Sequence, residues 1–158
     1  MQAIVAVSEN WGIGRGGDLL FHLHGDLQRF KALTSGHTVV MGRKTLQSLP
    51  SGRGLPNRRN LVLTRDKDFI ARRAEVVYSI EELLAQAGED AFCIGGGELY
   101  RELLPYCSRV YVTRVEAAAE ADTFFPDLDA DPGWRVADES APITEDGIAY
   151  RFVEYSRI

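Results

Sequence analysis

In this sequence of 158 residues the acid whose placement most invites chemistry is Asp26. On a helix running from Gly25 it shares a face with Phe30 and Leu33, and it lies beside Leu23 and Leu27. It is the one acid on that apolar stripe, so its carboxyl is expected to point inward. There it either rises in pKa or pairs with a cationic or hydrogen-donating ligand. An acid in a first helical turn also serves as a simple partner of the helix dipole, and the spacing leaves both roles open.

Two further clusters have the makings of a phosphate site. Ile94 runs into Gly95-Gly96-Gly97 and then Glu98-Leu99-Tyr100, where three adjacent glycines between strand and helix permit positive φ and close backbone approach to a pyrophosphate. Gly42-Arg43-Lys44-Thr45 places two cations and a hydroxyl at a helix start, where cations are unfavourable unless an anion joins them. Arg65, beyond another strand end, can reach the same anion, and basic residues rather than an acid here favour NADP over NAD. The plainer alternative is a pair of solvated surface cations.

A third run, Gly12-Ile13-Gly14-Arg15-Gly16-Gly17, matches G-x-G-x-x-G formally. No helix cap follows in Asp18-Leu19-Leu20-Phe21-His22, so it reads as a glycine-rich loop able to act as a mobile lid. His22, His24 and His37 have no His or Cys four positions on, and no Gly-x-Ser-x-Gly elbow occurs. Neither a metal centre nor Ser-His-Asp hydrolysis is expected.

To position these groups the chain offers β-rich runs at Ala3 to Val7, Thr38 to Met41, Asn60 to Thr64, Glu75 to Tyr78, Ala91 to Ile94 and Arg109 to Val115. Several are continuously apolar, as strands covered on both faces are. Helical patterns fall between them, at Asp26 to Thr34, Lys44 to Leu49, Ile80 to Ala87 and Glu98 to Leu104. The expectation is one α/β domain over residues 1–158, with a mostly parallel central sheet of about eight strands and about four flanking helices. Trp134 to Glu139 and Ile148 to Tyr155, with a turn at Gly147, read as an antiparallel C-terminal hairpin closing a sheet edge. Ligands of open α/β sheets bind outside the carboxyl ends of the strands, which is where all three glycine motifs begin.

Composition narrows the partners. Lys and Arg total 18 against 23 Asp and Glu, a net charge of −5, which argues against a nucleic-acid or anionic-membrane binder. The longest stretch without a charged residue, Ala32 to Gly42, has 11 residues, short of the roughly 18 a membrane span needs. The apolar run Ala3 to Val7 lacks the basic flank of a signal peptide, so a cytoplasmic protein is expected. Cys93 and Cys107, without CxxC spacing, read as packing thiols.

Taken jointly, the motifs resemble the dihydrofolate reductase family from Ala3 to Tyr155. They are Ala6, Trp11-Gly12-Ile13-Gly14, His22-Leu23-x-x-Asp26-Leu27-x-x-Phe30-Lys31, Val40-Met41-Gly42-Arg43-Lys44-Thr45, Leu55-Pro56-x-Arg58-x-Asn60, Ile94-Gly95-Gly96-Gly97-x-x-Tyr100 and Asp122-Thr123-x-Phe125-Pro126. The resemblance implies an NADPH-dependent oxidoreductase that adds hydride to C6 of 7,8-dihydrofolate, with protonation at N5, giving tetrahydrofolate for one-carbon metabolism. It implies a monomer whose partners are dihydrofolate and NADPH.

By the same resemblance Asp26 holds the amino and ring N–H groups of the pteridine, with Thr113 bonded to it and Phe21 completing the catalytic set. The substrate pocket takes in Val5, Ala6, Leu27, Phe30, Leu49 and Leu55, with Ile94 and Tyr100, while Arg58 pairs with the glutamate tail. NADPH falls to Ala6, Ile13 and Gly14, to Gly42, Arg43, Lys44 and Thr45, to Leu63, Thr64 and Arg65, and to Gly95, Gly96, Gly97, Glu98 and Leu99. Three places depart from the family pattern. Leu20-Phe21 stands where Pro-Trp is frequent, and Glu98 where an arginine can assist the cofactor. His24-Gly25 replaces a Pro-acid pair, which is expected to loosen the start of the Asp26 helix. Two other readings share this fold: the related NADPH reductase of riboflavin synthesis, separated by Asp26 together with Arg58, and a nucleotide-binding module without turnover.

Overall fold

Alternation of apolar side chains along each strand sends them to two opposite cores. A computed structural model describes residues 1–158. In chain order it contains β1 (Gln2–Val7), β2 (Gly12–Arg15), β3 (Asp18–Leu19), α1 (His24–Thr34), β4 (Thr38–Gly42) and α2 (Arg43–Ser48). There follow β5 (Arg59–Leu63), β6 (Glu75–Val77), α3 (Ile80–Ala87), β7 (Phe92–Cys93) and α4 (Gly97–Leu103). The last third holds β8 (Arg109–Val115), β9 (Thr123–Phe124), β10 (Trp134–Glu139), β11 (Ile143–Glu145) and β12 (Ile148–Arg157).

The main sheet runs β10-β12-β8-β1-β7-β4-β5-β6, with β11 paired to β12. Every pairing from β8 to β6 is parallel, and β12 turns the sheet antiparallel on β8. This is the expected α/β architecture with four helices. Ala3, Val5 and Val7 of β1, Val40 of β4 and Leu61 of β5 enter one core with Leu83 of α3 and Leu103 of α4. Ile4, Val39, Met41, Val62 and Phe92 enter the other, against which Phe30 and Leu33 of α1 and Leu46 of α2 pack. Both faces are therefore covered, which is why these strands read as unbroken apolar runs.

Two expectations need correction. The segment from Gly12 is a small sheet, β3-β2-β9, rather than a loop. Its glycines divide the work: Gly16 and Gly17 take positive φ in the β2–β3 turn, whereas a Cβ on Gly12 would lie 2.6 Å from Ala121 Cβ. The C-terminal hairpin also gains a strand. The turn at Asp146-Gly147, both with positive φ, joins β11 to β12, and β12 pairs antiparallel with both β11 and β10. Cys93 and Cys107 are both buried free thiols, and burial pushes Cys107 up to about 11. No helix is long and apolar enough to cross a membrane.

Candidate active site

The carboxyl of Asp26 lies where α1 crosses the carboxyl end of β8. Thr113, 4% exposed, donates its hydroxyl to Asp26 Oδ1 at 2.6 Å. Thr113 is the register partner of Ala6, so both face the α1 side of the sheet at the ends of β1 and β8. Burial pushes the Asp26 carboxyl above its ordinary value. The Thr113 bond and the charge of Arg29 act against that rise, and the charge of Glu145 adds to it. The carboxyl has turned inward, as its place on the helix required.

Beyond Asp26 stretches a wall of apolar side chains that the core does not fully cover. α1 buries only Thr34 completely, and Leu27 remains 53% exposed. Phe30, Leu49, Leu55 and Ile94 are all half-buried around the second core, so the structure gathers these predicted substrate residues on one side of the sheet. Arg58 closes the far end. Its Nε donates to Pro56 O at 2.8 Å and its Nη1 to Thr34 Oγ1 at 3.0 Å, and its guanidinium carbon stands 5.9 Å from the centre of the Phe30 ring. Arginine has five N–H donors, so these two bonds orient the side chain and leave the rest for a ligand. None of the ion pairs of the protein includes Arg58.

At the ends of β7, β4 and β5 the second and third predicted clusters meet. Gly42 N–H donates to Gly95 O at 2.9 Å, and Arg43 approaches Asp66 at 3.5 Å. Gly95 and Gly97 each have a reason to lack a side chain, whereas a Cβ on Gly96 would make only ordinary contact. Gly95 has φ +117° with the Tyr100 ring 3.2 Å from a would-be Cβ, Gly96 faces Thr45 Oγ1, and a Cβ on Gly97 would strike Thr123 Cγ2 at 2.5 Å. Ile13 of β2 lines the same place as Gly97, and Gly14 pairs with Thr123. Lys44 and Arg65 are exposed and unpaired, Thr64 is buried behind them, and Leu63 ends the strand. Free N–H groups at the start of α4, a bare backbone and cations without partners fit a dinucleotide carrying an extra phosphate.

Other predicted residues take different parts from those expected. The Val5 side chain belongs to the core on the opposite face from α1, so only its backbone can border the cleft. Tyr100, 6% exposed, packs its ring in that same core and donates its hydroxyl to Ile4 O at 2.7 Å, which ties it to β1. Leu99 is likewise core, leaving its backbone alone for a cofactor, while Glu98 is exposed. Phe21 packs with Leu23, Val115 and Tyr150 and carries no polar atom, so it can shape the site but hold neither water nor proton.

Sequence reasoning missed Glu145 and Arg29. Glu145 lies some 120 positions from the helix it meets, and no local pattern marks it. Arg29 was legible as the neighbour of Asp26 one turn on, and the Phe152 ring 4.2 Å away holds it in place. A surface concavity of about 820 Å³ among Glu9, Asn10, Arg15 and Ala118–Asp122 lies elsewhere. Its lining consists of three alanines, polar groups and the Arg15–Glu120 ion pair, without a buried titratable group.

A buried carboxyl heading an apolar cleft, joined at the strand ends to a glycine and cation cradle, defines a nucleotide-cofactor oxidoreductase of the open α/β class. Comparison with known proteins is specific. The family profile described as Dihydrofolate reductase matches residues 1–157. The dihydrofolate reductase of Bacillus subtilis is 37% identical over 98% of this chain and 92% of that protein. That of Mycobacterium tuberculosis is 43% identical over 92% of this chain and 90% of its own length. Among solved structures, the Enterococcus faecalis dihydrofolate reductase complexed with NADP(H) and RAB-propyl superposes with a TM-score of 0.87 at 36% identity, covering 99% of this chain and 95% of that one. The chain belongs to the dihydrofolate reductase family and is an NADPH-dependent oxidoreductase.

Proposed function

We propose that this chain, as one domain and a cytoplasmic monomer, reduces 7,8-dihydrofolate to 5,6,7,8-tetrahydrofolate and so feeds one-carbon metabolism. The observation that carries the reading is the Asp26 carboxyl, fixed by Thr113 at the head of a half-exposed apolar cleft. When bound, NADPH supplies the hydride added to C6. The remaining requirement is one proton at N5, and the residues around Asp26 account for it. The carboxylate accepts the amino and ring N–H groups of the pteridine, which offsets the cost of its burial. Its negative charge favours the N5-protonated substrate, with water carrying the proton.

Phe30, Leu49, Leu55, Ile94 and Leu27 exclude solvent from the rings, and Ala6 leaves room where cofactor and substrate meet. Arg58, oriented by Pro56 and Thr34, receives the carboxylate of the glutamate tail. Arg43, Lys44, Thr45, Thr64 and Arg65 take the 2′-phosphate side of NADPH, and Gly95, Gly96 and Gly97 the pyrophosphate. NADPH absorbance followed with and without dihydrofolate tests the assignment. Loss should depend on dihydrofolate and yield tetrahydrofolate. Binding of NADPH without turnover, or turnover only with a ribosylated aminopyrimidine, would overturn it.

A further inference from the structure

The helix that carries Asp26 begins without a cap of its own. Leu23 holds the N-cap position and makes no side-chain bond to the first turn, although the opening N–H groups of any helix need acceptors. The acceptor comes from the far end of the chain. Glu145, the last residue of β11, accepts His24 N–H on Oε2 at 2.6 Å and Gly25 N–H on Oε1 at 2.9 Å. A negative group here also complements the helix dipole. The contact is close because residue 25 has no side chain: a Cβ on Gly25 would lie 2.2 Å from the hydroxyl of Tyr150 on β12. Tyr150 is 1% exposed, and its hydroxyl reaches back to Glu145 Oε1 at 3.4 Å. The expected loosening of the helix start by His24-Gly25 is therefore absent: these two residues accept a clamp from β11 and β12.

We propose that Glu145 is a positioning residue for Asp26, its carboxylate fixing the first turn of α1 and hence the place of the next residue in the chain. The proposal rests on the catalytic reading of Asp26 given above. Around Asp26 stand Thr113 from β8, Arg29 from its own helix and Glu145 from β11, and its charge reaches the hydroxyls of Tyr150 on β12 and Tyr100 on α4. Arg29 and Glu145 are opposite charges on this group, and Glu145 itself faces His24. Glu145 thus acts on Asp26 twice, by holding its backbone and by like charge.

The two actions separate by substitution. Glu145→Ala removes both, and Glu145→Gln keeps one acceptor while removing the charge. Hydride transfer measured in single turnover across pH, with the KM for dihydrofolate and the Kd for NADPH, reads them out. Glu145→Ala should slow hydride transfer at pH 7 about fivefold, the population change that loss of a typical helix cap brings, and raise KM while leaving NADPH Kd unchanged. Glu145→Gln should recover most of the rate, but with the midpoint of its pH profile moved to lower pH, because a negative neighbour of Asp26 is gone. In an Asp26→Asn background Glu145→Ala should change the rate little, since the group it positions is no longer ionisable. An unchanged rate and midpoint in Glu145→Ala and Glu145→Gln, with Asp26→Asn impaired, would overturn the proposal alone. Equal losses in both backgrounds would overturn it as a general folding defect. An unimpaired Asp26→Asn would remove the catalytic reading and the proposal with it.

Discussion

The two ends of the cleft are built on opposite principles. At the Asp26 end, every polar group is held by a partner distant in sequence: Thr113 on the carboxyl, Glu145 on the helix start, Phe152 under Arg29. At the cofactor end, Lys44 and Arg65 have no partner, Arg43 has a loose one at 3.5 Å, and the cradle consists of backbone. On the proposed reading the first end fixes a single charge where a proton is delivered, so small displacements matter. On the same reading the second meets phosphates, which accept charge-assisted bonds from many directions and tolerate mobile cations. Substitutions at the Asp26 end should therefore change the chemical step, and those at the other should change affinity and cofactor choice.

Asp26→Asn is the sharpest way to break this contrast. It keeps the shape and an acceptor for Thr113, so turnover at pH 7 should fall about 10²-fold or more, a general acid-base contribution, while the NADPH Kd measured by fluorescence stays put. Arg58→Leu should come next. Its effect belongs in KM for dihydrofolate, up by some tens of fold with kcat nearly constant, because the tail pair is made equally in ground and transition states. A fall in kcat at constant KM in steady-state assays would move Arg58 into the chemistry. Arg43→Ala should reduce the NADPH over NADH preference about tenfold, for loss of one charged hydrogen bond. Equal change for both cofactors would clear Arg43 of contact with the 2′-phosphate.

The smallest effect is on stability, and its sign is informative. Because burial raises the Asp26 carboxyl in the fold, the folded state holds that proton more tightly than the unfolded chain does. Its stabilising contribution is complete below the ordinary value of 3.8 and is lost as pH climbs through the raised one, so the ionised carboxyl weakens the fold at pH 7. Asp26→Asn should accordingly raise Tm at pH 7 by a few degrees at most, with the gain shrinking towards acid pH in thermal melts.

What the sequence made legible follows the same divide. The parallel strands could be read because both their faces are covered, and Asp26 could be placed because its helix face is defined by Phe30 and Leu33 a turn or two on. The glycine and cation clusters announced themselves by local composition. The sheet of β2, β3 and β9 could not be read: its strands are short, β2 is glycine-rich, and the distant Thr123 and Phe124 help hold β2 in register. Glu145 was invisible for a related reason. A cap is recognised from the residue before the helix, and here that residue is Leu23 while the acceptor lies on a strand near the other end of the chain. That the side chains of Val5, Tyr100 and Leu99 enter the core was not legible, because family motifs mark position along the chain and not which face of the sheet a side chain enters.

The central claim is that the charge of Asp26 supports proton delivery to the substrate, and single-turnover hydride transfer against pH, for the protein and for Asp26→Asn, tests it most directly. Single turnover keeps product release from masking chemistry. The account predicts that the variant lags at pH 7 to 8 and gains on the parent as pH falls and solvent supplies the proton. A variant matching the parent at pH 7 to 8 would contradict it and leave Asp26 as a residue of the helix start alone.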